Sequence, residues 1–280
     1  MSLGIAFKGP EGIVLAADSR VTLMAQMQQP TLPTPMLLPA TYDNATKLLR
    51  VKGQDYVGAV TYGAGAIGAT EPRTAHSYIP EFEQELADTD RLSTEAFTKR
   101  LADFFLARMP GPVPAGQDMF FLIGGYDEGE AYGHVFEISI PNNPTPREHN
   151  ANAGEFGITW GGQKEYTERL LNGFDVSLTN LTQQFLNLTD AQKDGLIAHL
   201  KQNLGLRIPY QFLPLQDCVD VAIFMIRTTI MLQTWSVSVR GVGGLIDLAT
   251  VTRTEGFQYI QQKSIIGERG VSKWTPTQFP

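Results

Sequence analysis

A serine stands second in the chain, directly after Met1. Methionine aminopeptidases remove a leading Met when the next side chain is small, and the exposed Ser2 then carries a hydroxyl and a free α-amine on one residue. The reference pKa of such an amine is about 7.7–8.0, so a useful fraction is neutral near pH 7 and accepts the hydroxyl proton without a histidine base. The chemistry this permits is acyl transfer: attack on an amide carbonyl, then release of the acyl-enzyme by water. A retained Met1 would block the amine. Many chains begin Met-Ser, so the weight rests on the ionisable residues that follow, Asp18 and Arg20 in AADSR and Lys47 in KLLRV. Taken singly, each has a plain structural explanation: an ion pair at a strand end, or a surface lysine at a strand start.

Other chemistries find less support. His76, His134, His149 and His199 are scattered without metal-ligand spacing and are expected in surface or loop positions. There is no G-x-S-x-G elbow for a Ser-His-Asp hydrolase. The single cysteine, Cys218, falls in an apolar helical pattern and reads as a small core residue; it has no intrachain disulfide partner.

The elements that must position Ser2 begin at once. SLGIAFK and GIVLAADSR are short, apolar and separated by the turn Gly9-Pro10-Glu11-Gly12, which predicts a hairpin starting at the second residue. From Val21 to Tyr42 the chain is rich in Met, Gln, Thr and Pro; Pro30, Pro33, Pro35 and Pro39 oppose a continuous helix or a central strand, and an extended surface loop is expected. KLLRV and YVGAVTYG form a second strand pair about Lys52-Gly53-Gln54-Asp55. The spacing of Ile79, Phe82 and Leu86, then of Phe97, Leu101, Phe104 and Phe105 behind a Ser93 cap, predicts two helices. Strands return in MFFLIGGYD, GHVFEISI and GITW, followed by a helix over 165–171. One helix starting near Asp190 is expected within 175–214, then a long helix with Val219, Ile223, Ile226 and Ile230 on one face, then strands in LIDLATVTR and FQYIQQK. Runs of strands and runs of helices without a βαβα rhythm indicate antiparallel sheets covered by helices.

With 280 residues and 42% hydrophobic content, the chain is long enough to bury a substantial core. Its 22 basic and 29 acidic residues give a net charge of −7 with no long basic run, which argues against nucleic acid as a partner. The start MSLGIAFKGPEG lacks the basic and apolar regions of a secretion signal, and Arg227 interrupts the most hydrophobic segment, Val219 to Trp235. No membrane partner and a cytoplasmic setting are therefore expected. In that setting the Asn-Leu-Thr sequons at Asn180 and Asn187 carry no meaning.

The run SLGIAFKGPEGIVLAADSR resembles, without a gap, the opening of proteasome β-type subunits, which begin with a nucleophilic Thr and reach a VxxADSR-like motif. Ser2 falls in the place of the Thr. KLLRV at Lys47 and VGAVTYGAGAIGA resemble the family's Lys-bearing strand and the Gly-rich segment behind it. Motif agreement is strong over residues 2 to 68, and the order of elements is similar beyond them. The resemblance implies an α+β fold, a four-layer αββα sandwich of antiparallel sheets. It implies a single domain over 1–280 with insertions near 23–42 and 175–214.

The same resemblance implies roles. Ser2 is the nucleophile, Lys47 lowers the amine pKa and stabilises the developing alkoxide, Asp18 holds Lys47 charged, and Arg20 supports them. Gly63 supplies the oxyanion N–H; direct alignment puts Tyr62 where a Gly is usual, and a one-residue shift supplies Gly63. No cofactor is implied. Self-association into rings, an ATPase unfoldase that feeds them, and a peptide or protein substrate are. The chain departs from the family in two places. Thr159-Trp160-Gly161-Gly162 lacks the serine of a GSG-like motif, and Ser238-Val239-Arg240-Gly241-Val242-Gly243-Gly244 lacks the Asp and Ser expected ahead of the Gly pair, with Ser236 or Ser238 as substitutes. Three activities follow as expectations: an N-terminal serine peptidase or amidase, an inactive ring-forming homologue, or a hydrolase of small amides.

Overall fold

The computed structural model describes residues 2–27, 36–68, 72–109, 111, 113–114, 116–237 and 240–265. The expected hairpin is present as β1 (Leu3–Lys8) and β2 (Ile13–Ala17), every residue of which is buried. Burial on both faces explains why these strands read as unbroken apolar runs rather than as alternating ones. Leu3, Ile5, Phe7, Val14 and Ala16 face one core, while Ala6, Ile13, Leu15 and Ala17 face another. One antiparallel sheet is completed by β10 (Gly157–Gly162), β11 (Asp247–Thr252) and β12 (Gly256–Gln261), in the order β10-β1-β2-β11-β12.

The second five-stranded sheet contains β5 (Leu48–Leu49), β6 (Val57–Gly63), β7 (Met119–Gly125), β8 (His134–Ile140) and β9 (Asn143–His149), in sequence order and antiparallel throughout. Val60, Tyr62, Leu122 and Val135 turn toward the first sheet and share the middle core with Leu15 and Val251. Their chain neighbours Ala59, Phe121, Ile123, Phe136 and Ile138 turn the other way, under α1 (Ile79–Glu85) and α2 (Thr94–Leu106). The Ser93 side chain caps α2 by accepting the Ala96 N–H at 3.2 Å, as the sequence predicts. On the opposite flank, α3 (Glu165–Asn172) and α6 (Leu215–Trp235) cover the first sheet; α6 buries Val219, Ala222, Met225 and Ile226 against Leu3, Ile5 and Phe7. Three cores between four layers make the αββα sandwich that the sequence leads one to expect.

Three segments differ from expectation. The stretch read as an extended loop forms a two-stranded ribbon, β3 (Val21–Met27) with β4 (Met36–Tyr42), in register from Val21↔Tyr42 to Met27↔Met36. Pro30, Pro33 and Pro35 lie outside the described residues. Pro39 is accommodated because each strand of a two-stranded ribbon has a free edge. The segment 175–214 holds two helices, α4 (Val176–Leu186) and α5 (Asp190–Leu204); Asp175 caps the first by accepting the Ser177 N–H at 2.7 Å. Strand β9 was not expected from its sequence NPTPREH, and it tolerates Pro144 and Pro146 because it is an edge strand. No helix among the described residues is long and apolar enough to cross a membrane.

Candidate active site

Ser2 precedes β1, and its neighbours are fixed by antiparallel register. The start of β1 lies beside the end of β2, at Gly4↔Ala17, and beside the end of β10, at Leu3↔Gly162. The chain leaving β2 therefore delivers Asp18 directly beneath Ser2. The Asp18 carboxylate, fully buried, accepts four hydrogen bonds: Leu3 N–H at 3.0 Å and Lys47 Nζ at 2.6 Å on Oδ1, and Arg20 N–H at 3.0 Å and Gly243 N–H at 2.9 Å on Oδ2. A carboxylate has about four lone-pair sites, so this one is saturated. Through Leu3 N–H it fixes the backbone that carries Ser2. The Ser2 carbonyl is held from the other side by Gln163 N–H at 2.7 Å.

Lys47 comes from the residue just before β5, with its side chain only 6% exposed. Burial pulls its ammonium pKa down from the ordinary value; Asp18 opposes that pull, while the charges of Lys263 and Arg20 add to it. A void of about 20 Å³, lined by Ser2, Lys47, Thr61 and Tyr62, adjoins the two residues and has room for about one water molecule. Arg20 does not enter the cavity. Its guanidinium forks onto Asp43 at 2.5 and 2.8 Å and reaches the Arg240 carbonyl at 3.1 Å, clamping the segment whose Gly243 N–H meets Asp18. Arg20 therefore supports the site through Asp18's environment.

Gly63 ends β6 with φ +87°, and a Cβ there would stand 2.4 Å from the Asp118 carbonyl oxygen. A side chain is excluded by both conformation and space. Thr61 N–H donates to the Lys47 carbonyl at 2.9 Å and Ala64 N–H to the Asp118 carbonyl at 2.8 Å. Strand alternation then turns the Gly63 N–H to the Lys47 side, away from β7. Gly162 is equally constrained: φ is +96°, and a Cβ would fall 1.9 Å from the Ser2 carbonyl oxygen.

A cavity of about 1240 Å³ opens over Ser2, Gly63 and Gly162, with Thr22 and Tyr42 of the ribbon on its border. The structure thus brings together Ser2, Asp18, Lys47 and Gly63 and holds Arg20 one shell away.

Several residues here were not singled out by the sequence. Tyr62 lies across the Gly4↔Gly161 pair, stacked on Phe120 at 5.0 Å between ring centroids, and donates to Glu137 Oε1 at 2.5 Å. Burial and the neighbouring Glu137 charge push its phenol well above the ordinary value. His149 Nε2 meets Glu137 Oε2 at 2.9 Å, and His134 Nδ1 meets Glu148 Oε1 at 2.7 Å, so these two histidines are strand residues paired with carboxylates rather than loop residues. Gln233 Nε2 donates to Gln163 Oε1 at 2.6 Å, and Gln233 Oε1 accepts Val242 N–H at 3.0 Å. The one sequence signal was Glu137 itself, a charge within the apolar strand GHVFEISI. Met1 and Ser238 lie outside the described residues.

No protein-family model and no curated protein matches the chain. Among solved structures, the chain is similar to a mutant form of Anbu from Hyphomicrobium sp. strain MC1. The identity is 13% and the TM-score 0.53, over 94% of this chain and 86% of that one. At this identity the likeness shows the fold: the chain has the N-terminal-nucleophile-hydrolase-like architecture.

Proposed function

We propose that the chain is an N-terminal serine peptidase or amidase of the proteasome-like kind. Removal of Met1 exposes Ser2, whose hydroxyl attacks the carbonyl while its α-amine takes the proton and later returns it to the leaving amine. Lys47, held by Asp18, keeps a positive charge beside the forming alkoxide and lowers the amine pKa. The Gly63 N–H meets the oxyanion. A water in the small void beside Ser2 and Lys47 releases the acyl group. The carrying observation is the saturated Asp18 carboxylate, which ties Lys47 and the backbone of Ser2 into one unit at the edge of a large cavity.

We read the chain as one domain, with the ribbon and α4–α5 as insertions. Assembly into rings, an ATPase partner and a peptide or protein substrate belong to this proposal. The test compares hydrolysis of a fluorogenic peptide amide by the wild type and by Ser2→Ala. Loss of at least about a thousandfold is expected; undiminished hydrolysis by the variant overturns the reading.

One observation favours a second reading, a ring-forming protein without peptidase activity. The residues flanking Ser2 from β10 are Gly162 and Gln163, where the family's serine hydroxyl is missing. A protein that hydrolyses neither peptides nor small amides, yet assembles into rings on sedimentation, fits that reading.

A further inference from the structure

The cavity over Ser2 has a second chemical pole. Among the described residues that line it, Glu137 and Lys164 carry formally charged side chains. Lys164 is at the rim, half exposed, and is neutralised by Glu168 at 3.3 Å. Glu137 is partly buried on β8, and the aromatic residues Tyr62, Phe120 and Trp160 line the cavity with it.

The Glu137 carboxylate is rigidly held. Tyr62 is confined between the Phe120 ring and the Gly4↔Gly161 pair, where a Cβ at Gly161 would fall 2.1 Å from its ring. Its hydroxyl fixes Oε1, and His149 on β9 fixes Oε2. Burial alone would raise the Glu137 pKa, but those two bonds, with the charges of His149 and Arg147, hold it below the ordinary carboxylate value, so the group is anionic at neutral pH. Each oxygen keeps a further acceptor position. Arg147, the cross-strand neighbour of Glu137, is exposed, and among the described residues no ion pair joins the two. A fixed anion that faces a cavity among aromatic rings suits a cation, which gains charge-assisted hydrogen bonds to the carboxylate and attraction to ring faces.

We propose that Glu137 is the specificity-determining residue of this cavity and selects substrates bearing a guanidinium or ammonium side chain. The inference rests on the reading of Ser2 as the nucleophile only in making the selected group part of an amide substrate. Tyr62 and His149 are positioning residues for Glu137.

The test has two arms. In the first, kcat/KM is measured for two fluorogenic amides that differ only in Arg or Leu before the scissile bond. The wild type is expected to favour Arg by about tenfold or more, as a charge-assisted bond implies. Glu137→Gln is expected to lower kcat/KM for the Arg substrate about tenfold more than for the Leu substrate, so that the preference disappears. In the second arm, full-length Ser2→Ala is titrated by NMR with acetyl-arginine amide and with its neutral isostere acetyl-citrulline amide. Saturable binding of the arginine compound alone, lost in the Ser2→Ala/Glu137→Gln double variant, is expected. Equal binding of the two compounds, or hydrolysis blind to charge, overturns the proposal. Charge-dependent binding without hydrolysis would instead overturn the Ser2 reading and leave this one standing.

Discussion

Lys47 and Glu137 each stand beside a pocket that Ser2 also lines, yet the two charges are held in different ways. The Asp18–Lys47 pair is sealed, with side-chain exposures of 0% and 6%, and Asp18 draws three of its four bonds from backbone N–H groups of separate segments. Glu137 is 22% exposed and is held by two side chains, His149 from the adjacent β9 and Tyr62 from β6, two strands away. Backbone donors do not depend on the side chain and move only with the fold, which suits a group that must keep one geometry. Side-chain donors leave acceptor positions open and can be exchanged singly, which suits a group that meets a variable ligand. The sealed pair belongs to the reaction and the open carboxylate to the choice of substrate.

Breaking the sealed pair has the largest consequence. Lys47→Ala leaves a buried carboxylate with three backbone donors and no compensating cation, and loss of one partner of a buried pair costs about 3–5 kcal/mol. Hydrolysis is expected to fall to background, and chemical denaturation should show the stability loss. A variant that keeps wild-type stability would mean that Asp18 does not need its cation. Gly162→Ala acts on the same region without touching a charge. It puts a methyl group against the Ser2 carbonyl at a left-handed backbone position, so about 1–3 kcal/mol of strain and a displaced Ser2 are expected. Thermal melting together with kcat reads both effects.

The open carboxylate should give smaller changes than loss of Lys47. Tyr62→Phe removes one donor from the anionic Glu137 and is expected to cost about 1.5–3 kcal/mol, read by chemical denaturation. In acid the sign is set by the depressed Glu137 pKa. Its stabilisation is fully present above the unfolded carboxylate value, 4.5, and is lost as pH falls through the lower folded value. Glu137→Gln should therefore flatten the acid limb of the stability curve. An unchanged limb would show that the bonds to Tyr62 and His149 do not favour the ionised form.

The same contrast governs what the sequence discloses. Asp18 and the hairpin beneath Ser2 are readable because strand, turn and strand follow one another within 20 residues, and Lys47 because it opens the next strand pair. The Tyr62–Glu137 bond spans 75 residues and depends on the register of three strands, which no local pattern encodes. The pairing of His134 and His149 with carboxylates is hidden for the same reason: their partners are diagonal neighbours across β8 and β9, which a reading of surface or loop positions does not reveal. The prolines between Val21 and Tyr42 mislead because their cost applies to central strands and each strand of the ribbon has a free edge. Helix α4 does not follow from core patterning because it buries only Thr179 and leaves its apolar residues Val176, Leu178, Leu181, Phe185 and Leu186 exposed.

The central claim is that Ser2 carries both nucleophile and base. An epoxyketone reacts with a hydroxyl and an α-amine on the same residue, so intact-mass measurement of the native protein before and after treatment reads both groups at once. The account predicts a starting mass lacking Met1 and a stoichiometric single adduct located at Ser2 by peptide mapping. A native chain that retains Met1, or that lacks Met1 yet forms no adduct, would contradict it.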